Sequence, residues 1–412
     1  MKSYFRLCLS LTQIFLILFV TLSCDSPSGN RLERERLFTL SYGRFEDEID
    51  LFRLESGSTG PDTQLFMRDG MFYLSNSGSK KILQLTSFGD LLSVYYNPEV
   101  NPVPSFAHPQ DQEEDSDSIT ATRKAVSYPF NHPVFLTVDN TKRLSVADRI
   151  PFERQEFDSE EQVVLRDIVL RFAADGRFSD YLGQEGPGGT PFPPIVGLYS
   201  NATDETIVVS MTQSGLRIFW FDADGNLLYR IPISFRNLPS PFESGTTVFS
   251  SVEKVLPDYG ARRLYLKIDY YTGMVDESTG SNAGIAYAKS ALYPFDIASE
   301  SYLDRIDISS FEGSESDTKG SLTYKKPYEL LGITTSGWIV LASPVPEGYA
   351  IELMDSKSRR IQNRVLSVQS DELAYNALHV SPDGILSALL ATPYTASVVW
   401  WRTDALIGEI RR

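Results

Sequence analysis

The chain has 412 residues, with 54 Asp or Glu against 38 Lys or Arg, which gives a formal net charge of −16 at pH 7. Such an acidic field repels phosphate backbones and anionic headgroups, so we expect no nucleic-acid partner. The chain has only two cysteines, which excludes a disulfide-rich scaffold.

The beginning of the chain has the layout of an export signal. Lys2 and Arg6 precede a mostly apolar run over 7–22, and Cys24 follows shortly after it. The run is shorter than the roughly 20 residues that a membrane-spanning helix needs. The pattern therefore predicts a signal peptide over residues 1–23.

The end of this signal resembles the lipobox of bacterial lipoproteins. Small Ser23 stands directly before Cys24, with Thr21 and Leu22 where the family usually has Leu and a smaller residue. The resemblance implies cleavage before the cysteine, acylation at Cys24 (for example with palmitate) and a lipidated tether over 24–36. It also implies a cell-envelope location on the periplasmic or surface face of a bacterial membrane. An ordinary cleaved signal and an uncleaved anchor are the alternatives.

The exported part would be a soluble acidic body. Loss of Lys2 and Arg6 leaves 36 basic and 54 acidic residues, a net charge of −18. Cys24 would be the only cysteine left, so no intramolecular disulfide can form and the core alone must stabilise the fold.

Beyond residue 36, short apolar runs separated by Gly, Asp, Asn, Ser and Pro recur in groups of four. Six such groups predict an all-β fold, a β-propeller over 37–412 with six blades of four antiparallel strands. Seven blades and a two-sheet sandwich are the alternatives. The groups span 65–94, 134–178, 195–228, 252–306, 328–368 and 378–410.

One stretch, Ile168–Pro194, carries a resemblance to propeller repeats of the NHL type. It reads Ile-Val-Leu-Arg-Phe-Ala-Ala-Asp-Gly-Arg-Phe, continues through a Gly-rich link over 182–189 and ends in Phe-Pro-Pro. This order of strand, Asp-Gly turn, link and Pro-led next strand is similar to that family. The resemblance implies a propeller that most often acts as a binding or scaffold protein.

Ring closure usually joins strands from both chain ends in one blade. The last predicted strand is Leu406–Ile410, and the runs 36–42 and 48–52 are free to pair beside it. Three departures from the repeat predict loops, the acidic and Pro-rich 97–127 and the insertions 152–161 and 272–290.

Residues for catalysis are scarce. The three histidines are His108, His132 and His379, and the last lies in an apolar strand where a structural role is favoured. Neither a Gly-x-Ser-x-Gly elbow nor a Cys/His zinc cluster is present. We therefore assign no catalytic, metal or cofactor residue.

Two other motifs have structural interpretations. The oxygen-rich Asp222-Ala-Asp224-Gly-Asn226 has ligands for a hard cation, but an Asp-Gly turn explains it. The stretch 183–189 lacks the Lys-Ser/Thr of a phosphate loop and is predicted to connect blades. In Trp400-Trp401, strand alternation sends one ring into the core and the other toward a neighbouring blade or groove.

The leading functional hypothesis is a lipid-anchored, non-catalytic propeller that binds an envelope protein or small ligand on one face. A calcium-dependent lactonase or esterase would instead need oxygen ligands converging on the central channel. An envelope protein-assembly factor would show an exposed apolar or edge-strand patch.

Overall fold

The computed structural model describes residues 31–51, 63–107, 123–243, 246–275, 281–317, 320–372 and 374–410. Cys24, His108 and the acidic run 111–117 lie outside these residues. Within them, the apolar runs form β-strands because their β-branched and aromatic side chains suit a pleated sheet that is buried on both faces.

The first strand, β1 (Glu35–Leu40), belongs to the last sheet. The next two sheets each use consecutive strands of one repeat. Sheet 1 contains β2 (Thr63–Arg68), β3 (Met71–Asn76), β4 (Lys81–Leu85), β5 (Leu91–Tyr96) and, parallel to β5, β6 (Lys124–Ser127). Sheet 2 contains β7 (Leu136–Val138), β8 (Leu144–Arg149), β11 (Asp167–Phe172), β12 (Phe178–Gly183) and β13 (Gly186–Pro187). A separate hairpin, β9 (Glu156–Asp158) and β10 (Val163–Leu165), interrupts sheet 2.

Sheets 3, 4 and 5 repeat the arrangement. Sheet 3 contains β14 (Ile195–Ser200), β15 (Thr206–Met211), β16 (Gly215–Phe221) and β17 (Leu227–Ser234). Sheet 4 contains β18 (Val248–Pro257), β19 (Arg263–Val275), β20 (Asn282–Asp296), β21 (Ser301–Tyr302) and β22 (Ile306–Ile308). A second separate hairpin follows, β23 (Phe311–Asp317) and β24 (Gly320–Lys326). Sheet 5 contains β25 (Glu329–Ile333), β26 (Trp338–Val345), β27 (Gly348–Asp355) and β28 (Ile361–Ser367).

Sheet 6 joins the two ends of the described chain. It contains β29 (Tyr375–Val380), β30 (Leu386–Ala391), β31 (Ala396–Trp401) and β1, which pairs antiparallel with β31. The prediction of a strand at Leu406–Ile410 was wrong, because this segment lies in the helix α1 (Thr403–Ile410). As expected, a strand from the front of the chain closes the ring, but β1 pairs with β31 and not with the predicted strand at 406–410.

The six sheets form a closed ring, which confirms the six-bladed β-propeller. Their innermost strands contact one another in the cyclic order β2, β7, β14, β18, β25, β29 and back to β2. Seven blades and a sandwich are therefore both excluded. Among the described residues, the 3₁₀ turns 152–154, 235–237 and 370–372 lie in connections.

The core is divided among the interfaces between sheets. Buried apolar side chains of the described residues form six clusters, one between each pair of neighbouring sheets. In β3, Phe72 and Leu74 pack toward sheet 6 while Tyr73 packs toward sheet 2. Because both faces of each sheet are buried, the central strands are apolar at successive positions.

Two segments outside the predicted strands form hairpins, and the first of them was predicted to be a loop. The insertion at 272–290 is largely the far end of the long hairpin formed by β19 and β20. Hairpin β23–β24, which the repeat pattern did not predict, follows sheet 4 and contacts β20. No helix of the described residues is long and apolar enough to cross a membrane.

Closure of the ring gives a stability prediction. Phe38 of β1 is buried and packs edge-to-face on Phe72 of sheet 1 at 5.8 Å between ring centroids. We expect Phe38→Ala to lower the free energy of unfolding by about 3 kcal/mol, since it removes a ring from a filled interface. Urea denaturation would measure this loss.

Phe45→Ala is the control, because Phe45 is 62% exposed and its loss is expected to change stability by less than about 0.5 kcal/mol. Equal effects of the two variants would contradict the role of β1 in closure.

Candidate functional site

The two ends of the ring differ in the length of their connections. Antiparallel strands alternate in direction, so the connections between first and second and between third and fourth strands share one end. We call this end the turn face, and none of its complete connections in sheets 1 to 6 exceeds five residues. At the other end, which we call the insertion face, the chain leaves sheet 1 after β5 and sheet 4 after β22. Hairpin β9–β10 lies between β8 and β11 at this end, and β19 and β20 extend here past the end of β18.

The two hairpins beside sheets 4 and 5 project side chains into solvent. Beyond the end of β18, β19 and β20 pair only with each other, and Met274 and Ile285 are exposed there. In hairpin β23–β24, Tyr324 is also exposed, and Lys326 lies 4.9 Å from the ring centre of Phe311. No other described strand hydrogen-bonds to β23 or β24, so their backbone edges are unpaired.

The insertion in sheet 2 forms a third projection. Phe152 and Phe157 are 82% and 61% exposed on its 3₁₀ turn and hairpin β9–β10. Glu161 forms an ion pair with Arg217 of sheet 3, which holds the insertion over the junction between sheets 2 and 3. Large exposed aromatic side chains therefore lie beside this junction.

A cavity of about 240 Å³ opens at the same junction, and we call it the arginine cavity. Its charged walls are Asp148 and Arg149 at the end of β8, and Arg166 and Asp167 at the start of β11. Arg149 and Asp167 are direct partners in the ladder between these strands. The pairing of β8 with β11 thus brings four charged side chains together.

Burial dominates the electrostatics of the two acids. Desolvation raises the pKa of Asp148 to about 6, and the nearby Asp167 carboxylate adds to this, while backbone N–H groups oppose it. Among those donors, the N–H of Asn131 lies 3.0 Å from Oδ2 and that of His132 lies 2.5 Å from Oδ1. Burial also raises the pKa of Asp167, although Ile195 donates its N–H to Oδ2 at 2.8 Å.

At the turn face, Arg68 connects several blades across the central channel. It donates hydrogen bonds to the carbonyl of Val138 at 2.5 Å, to the hydroxyl of Tyr259 at 2.8 Å and to Asn140. Asn140 in turn donates to Asp204 of sheet 3 at 2.8 Å. These bonds link sheets 1 to 4 at the end of the channel where connections are short.

His379 lies inside the channel against Phe66, with 4.8 Å between ring centres. Burial lowers its pKa to about 4, so the ring is neutral at pH 7. Its Nε2 lies 3.3 Å from the carbonyl oxygen of Met67. This environment fits the structural role that the sequence favoured.

Sheet 4 contains a buried ion cluster. The ammonium of Lys267, which is fully buried, donates to Asp269 at 2.7 Å and lies 3.4 Å from Glu253. Glu253 accepts the N–H of Leu330 at 3.2 Å, and Lys254 donates to the carbonyl of the same residue at 2.7 Å. The cluster therefore joins sheet 4 to sheet 5 through both backbone groups of one residue.

The other motifs of the sequence have structural roles. Asp222 accepts the N–H groups of Asp224 and Asn226 at 3.0 and 2.8 Å, as the turn interpretation predicted. The glycine-rich stretch connects sheet 2 to sheet 3. Trp401 is fully buried, while Trp400 packs toward Phe72 of sheet 1 and donates to Glu35.

The sequence analysis did not identify the charged residues of the arginine cavity. The available signal was the pair Asp148-Arg149 at the end of one strand and the reversed pair Arg166-Asp167 at the start of its neighbour. In the described part of the chain, no group of three or more His, Cys, Asp or Glu side chains is arranged to hold a metal ion. The predicted lipid site, Cys24, lies outside that part.

No protein-family model matches the chain, and no curated protein sequence matches it. Several solved structures are similar in overall shape. A streptogramin B lyase is 13% identical, with 91% of this chain and 99% of that chain covered and a TM-score of 0.38. A gluconolactonase from Xanthomonas campestris is 10% identical, with coverages of 92% and 93% and a TM-score of 0.41. A polysaccharide lyase is 10% identical, with coverages of 90% and 99% and a TM-score of 0.46. At these values, the activities in those names belong to those proteins alone.

The raised pKa of Asp148 gives a pH prediction. Because its folded pKa lies above the unfolded value of about 3.9, ionisation disfavours the fold, and the penalty develops as pH rises from about 4 to about 6. Relative to Asp148→Asn, we expect the wild type to lose on the order of 2 kcal/mol of unfolding free energy across this window. Urea denaturation at a series of pH values would measure the difference. Asp167, Arg149, Arg166 and His132 remain in both proteins, so parallel pH profiles would contradict the prediction.

Proposed function

We propose that the protein is a lipid-anchored component of the bacterial cell envelope that binds a partner protein through its insertion face, without catalysis. The observation that carries the proposal is the asymmetry of the ring. In the described residues, hairpins β9–β10 and β23–β24 and the extension of β19 and β20 past β18 all lie on one face, while the turn face keeps short connections. Binding residues are commonly placed on loops that a rigid scaffold positions.

The chemistry of the insertion face favours a polypeptide partner. Exposed apolar side chains occur on three separate projections, at Phe152, Phe157, Met274 and Ile285 among others. The unpaired edges of hairpin β23–β24 offer backbone donors and acceptors to an added strand. A surface of this breadth suits a protein better than a small molecule.

The two cysteines of the chain allow a direct test of lipid attachment at Cys24. We expect Cys24→Ser to move the protein from the detergent phase to the aqueous phase in Triton X-114 partitioning, and to abolish incorporation of labelled palmitate. Two acyl chains make membrane attachment durable, so their loss should release the protein. Cys8→Ser, which changes the cysteine inside the leader, is the matched control and should behave as wild type. Unchanged partitioning and labelling of Cys24→Ser would reject lipidation there.

The binding face is tested by site-specific photocrosslinking in intact cells. A benzoylphenylalanine at position 152 or 285 of the insertion face should give a discrete adduct with an envelope protein. The same probe in place of Phe88 or Leu303, which are exposed on the turn face, should give none.

Specificity follows from competition in solubilised envelopes. Unlabelled wild-type protein should suppress the adduct, whereas the double variant Phe152→Lys/Ile285→Lys should not, since each lysine places a charge where apolar contact is lost. Equal adducts from both faces, or suppression by the double variant, would contradict binding through the insertion face.

A further inference from the structure

The arginine cavity contains two guanidinium groups without hydrogen bonds to described residues. The side chains of Arg149 and Arg166 are only 35% and 36% exposed, and the Nε atom of each is buried without a partner. Buried polar groups in proteins are nearly always paired, so an unpaired one requires an explanation. Two unpaired Nε–H donors at one site indicate that a bound ligand supplies the acceptor for both.

Asp167 does not fill that role. Its Oδ1 lies 3.8 Å from Nε of Arg149 and 3.9 Å from Nε of Arg166, beyond hydrogen-bonding distance. Its Oδ2 already accepts the N–H of Ile195. Asp167 therefore lies between the two guanidiniums as a loose ion pair and leaves their donors unused.

The backbone around the two arginines is fixed. The N–H of Ile150 donates to the carbonyl of Arg166 at 2.9 Å, and the N–H of Arg166 donates to the carbonyl of Phe192 at 2.9 Å. Asp148, beside Arg149, is held by backbone donors from the preceding loop. Because these hydrogen bonds fix the backbone before a ligand binds, the entropic cost of binding is lower.

The rest of the cavity is mostly apolar and small. Besides the charged groups, it is lined by His132 and by the apolar residues Val134, Phe135, Ala147 and Ile195. Its volume of about 240 Å³ is below the range of roughly 300–1,000 Å³ typical of drug-sized ligands. It suits a molecule of about one ring with one anionic group.

We propose that the arginine cavity binds a small organic carboxylate, whose oxygens accept hydrogen bonds from Arg149 and Arg166 and whose apolar part contacts Phe135 and Ile195. Guanidinium groups match the planar geometry of a carboxylate through paired N–H donors. A monoanion is favoured over a dianion such as phosphate, because the carboxyl groups of Asp148 and Asp167 also line the cavity. The site does not depend on the partner-binding function proposed above.

The test uses benzoate as the probe on the full-length, detergent-solubilised protein. Benzamide is the neutral molecule of matched shape, and inorganic phosphate is the competing oxyanion. We expect saturable benzoate binding by isothermal titration calorimetry, with benzamide and phosphate at least about ten-fold weaker.

Variants assign the binding to this cavity. Arg149→Gln and Arg166→Gln should each weaken benzoate binding by about ten-fold or more, as expected for loss of a charge-assisted hydrogen bond. Arg177→Gln is the control, since Arg177 is 83% exposed on the turn face and should leave binding unchanged.

Thermal unfolding separates a binding role from a structural one. Each guanidinium contacts the described protein only through its loose ion pair with Asp167. The Gln variants should therefore lower the melting temperature of the ligand-free protein only slightly, and benzoate should raise it in wild type and Arg177→Gln only. Absence of saturable benzoate binding, equal binding of benzamide, preference for phosphate or binding unchanged in both Gln variants would each overturn the proposal. Destabilised ligand-free Gln variants whose benzoate affinity is retained would assign the two arginines a structural role.

Discussion

The pairing of β1 with β31 is the contact on which the rest of the fold depends. A four-stranded sheet with apolar side chains on both faces cannot be covered by its own repeat, so each sheet needs two neighbours. Sheets 1 and 6 become neighbours in a closed ring. Their interface contains Phe38 and Leu40 of β1, Phe72 of sheet 1 and Leu389 of sheet 6. Without β1, sheet 6 would lose its outer strand and this cluster would be exposed to water.

Close packing explains why insertions are absent from the turn face. Gly89, at positive φ, lies so near the Cβ of Phe38 that an added side chain would approach it to 2.7 Å. Gly225 lies equally close to the guanidinium of Arg171, which donates to the carbonyl of Asp224 at 3.0 Å from the neighbouring sheet. These turns are parts of the interfaces between sheets. On the insertion face, hairpins β9–β10 and β23–β24 lie outside the six sheets, so the connections that contain them can lengthen without disturbing the ring.

The sequence predicted the ring because burial on both sheet faces leaves a strong signal, a run of apolar residues between turn residues. It failed where the signal is ambiguous. Leu406–Ile410 is a short apolar run, for which helix and strand have similar patterns. Ile407 is buried over Gly384, while Leu406 is only partly buried. The hairpin at 272–290 was taken for a loop because its Gly, Ser and Asn residues hide the alternation. The charged residues of the arginine cavity were missed because Asp148-Arg149 and Arg166-Asp167 are separated along the chain, and only the pairing of β8 with β11 brings them together.

The beginning of the described chain has a consequence for cleavage by proteases. Before β1 enters sheet 6, the N–H of Leu32 donates to the carbonyl of Val365 in sheet 5, and Arg34 forms an ion pair with Glu372 in the connection between sheets 5 and 6. The segment that contains Leu32 and Arg34 therefore also links sheet 5 to sheet 6. A cut within β1 would break the pairing of β1 with β31, so proteolysis there would open the ring.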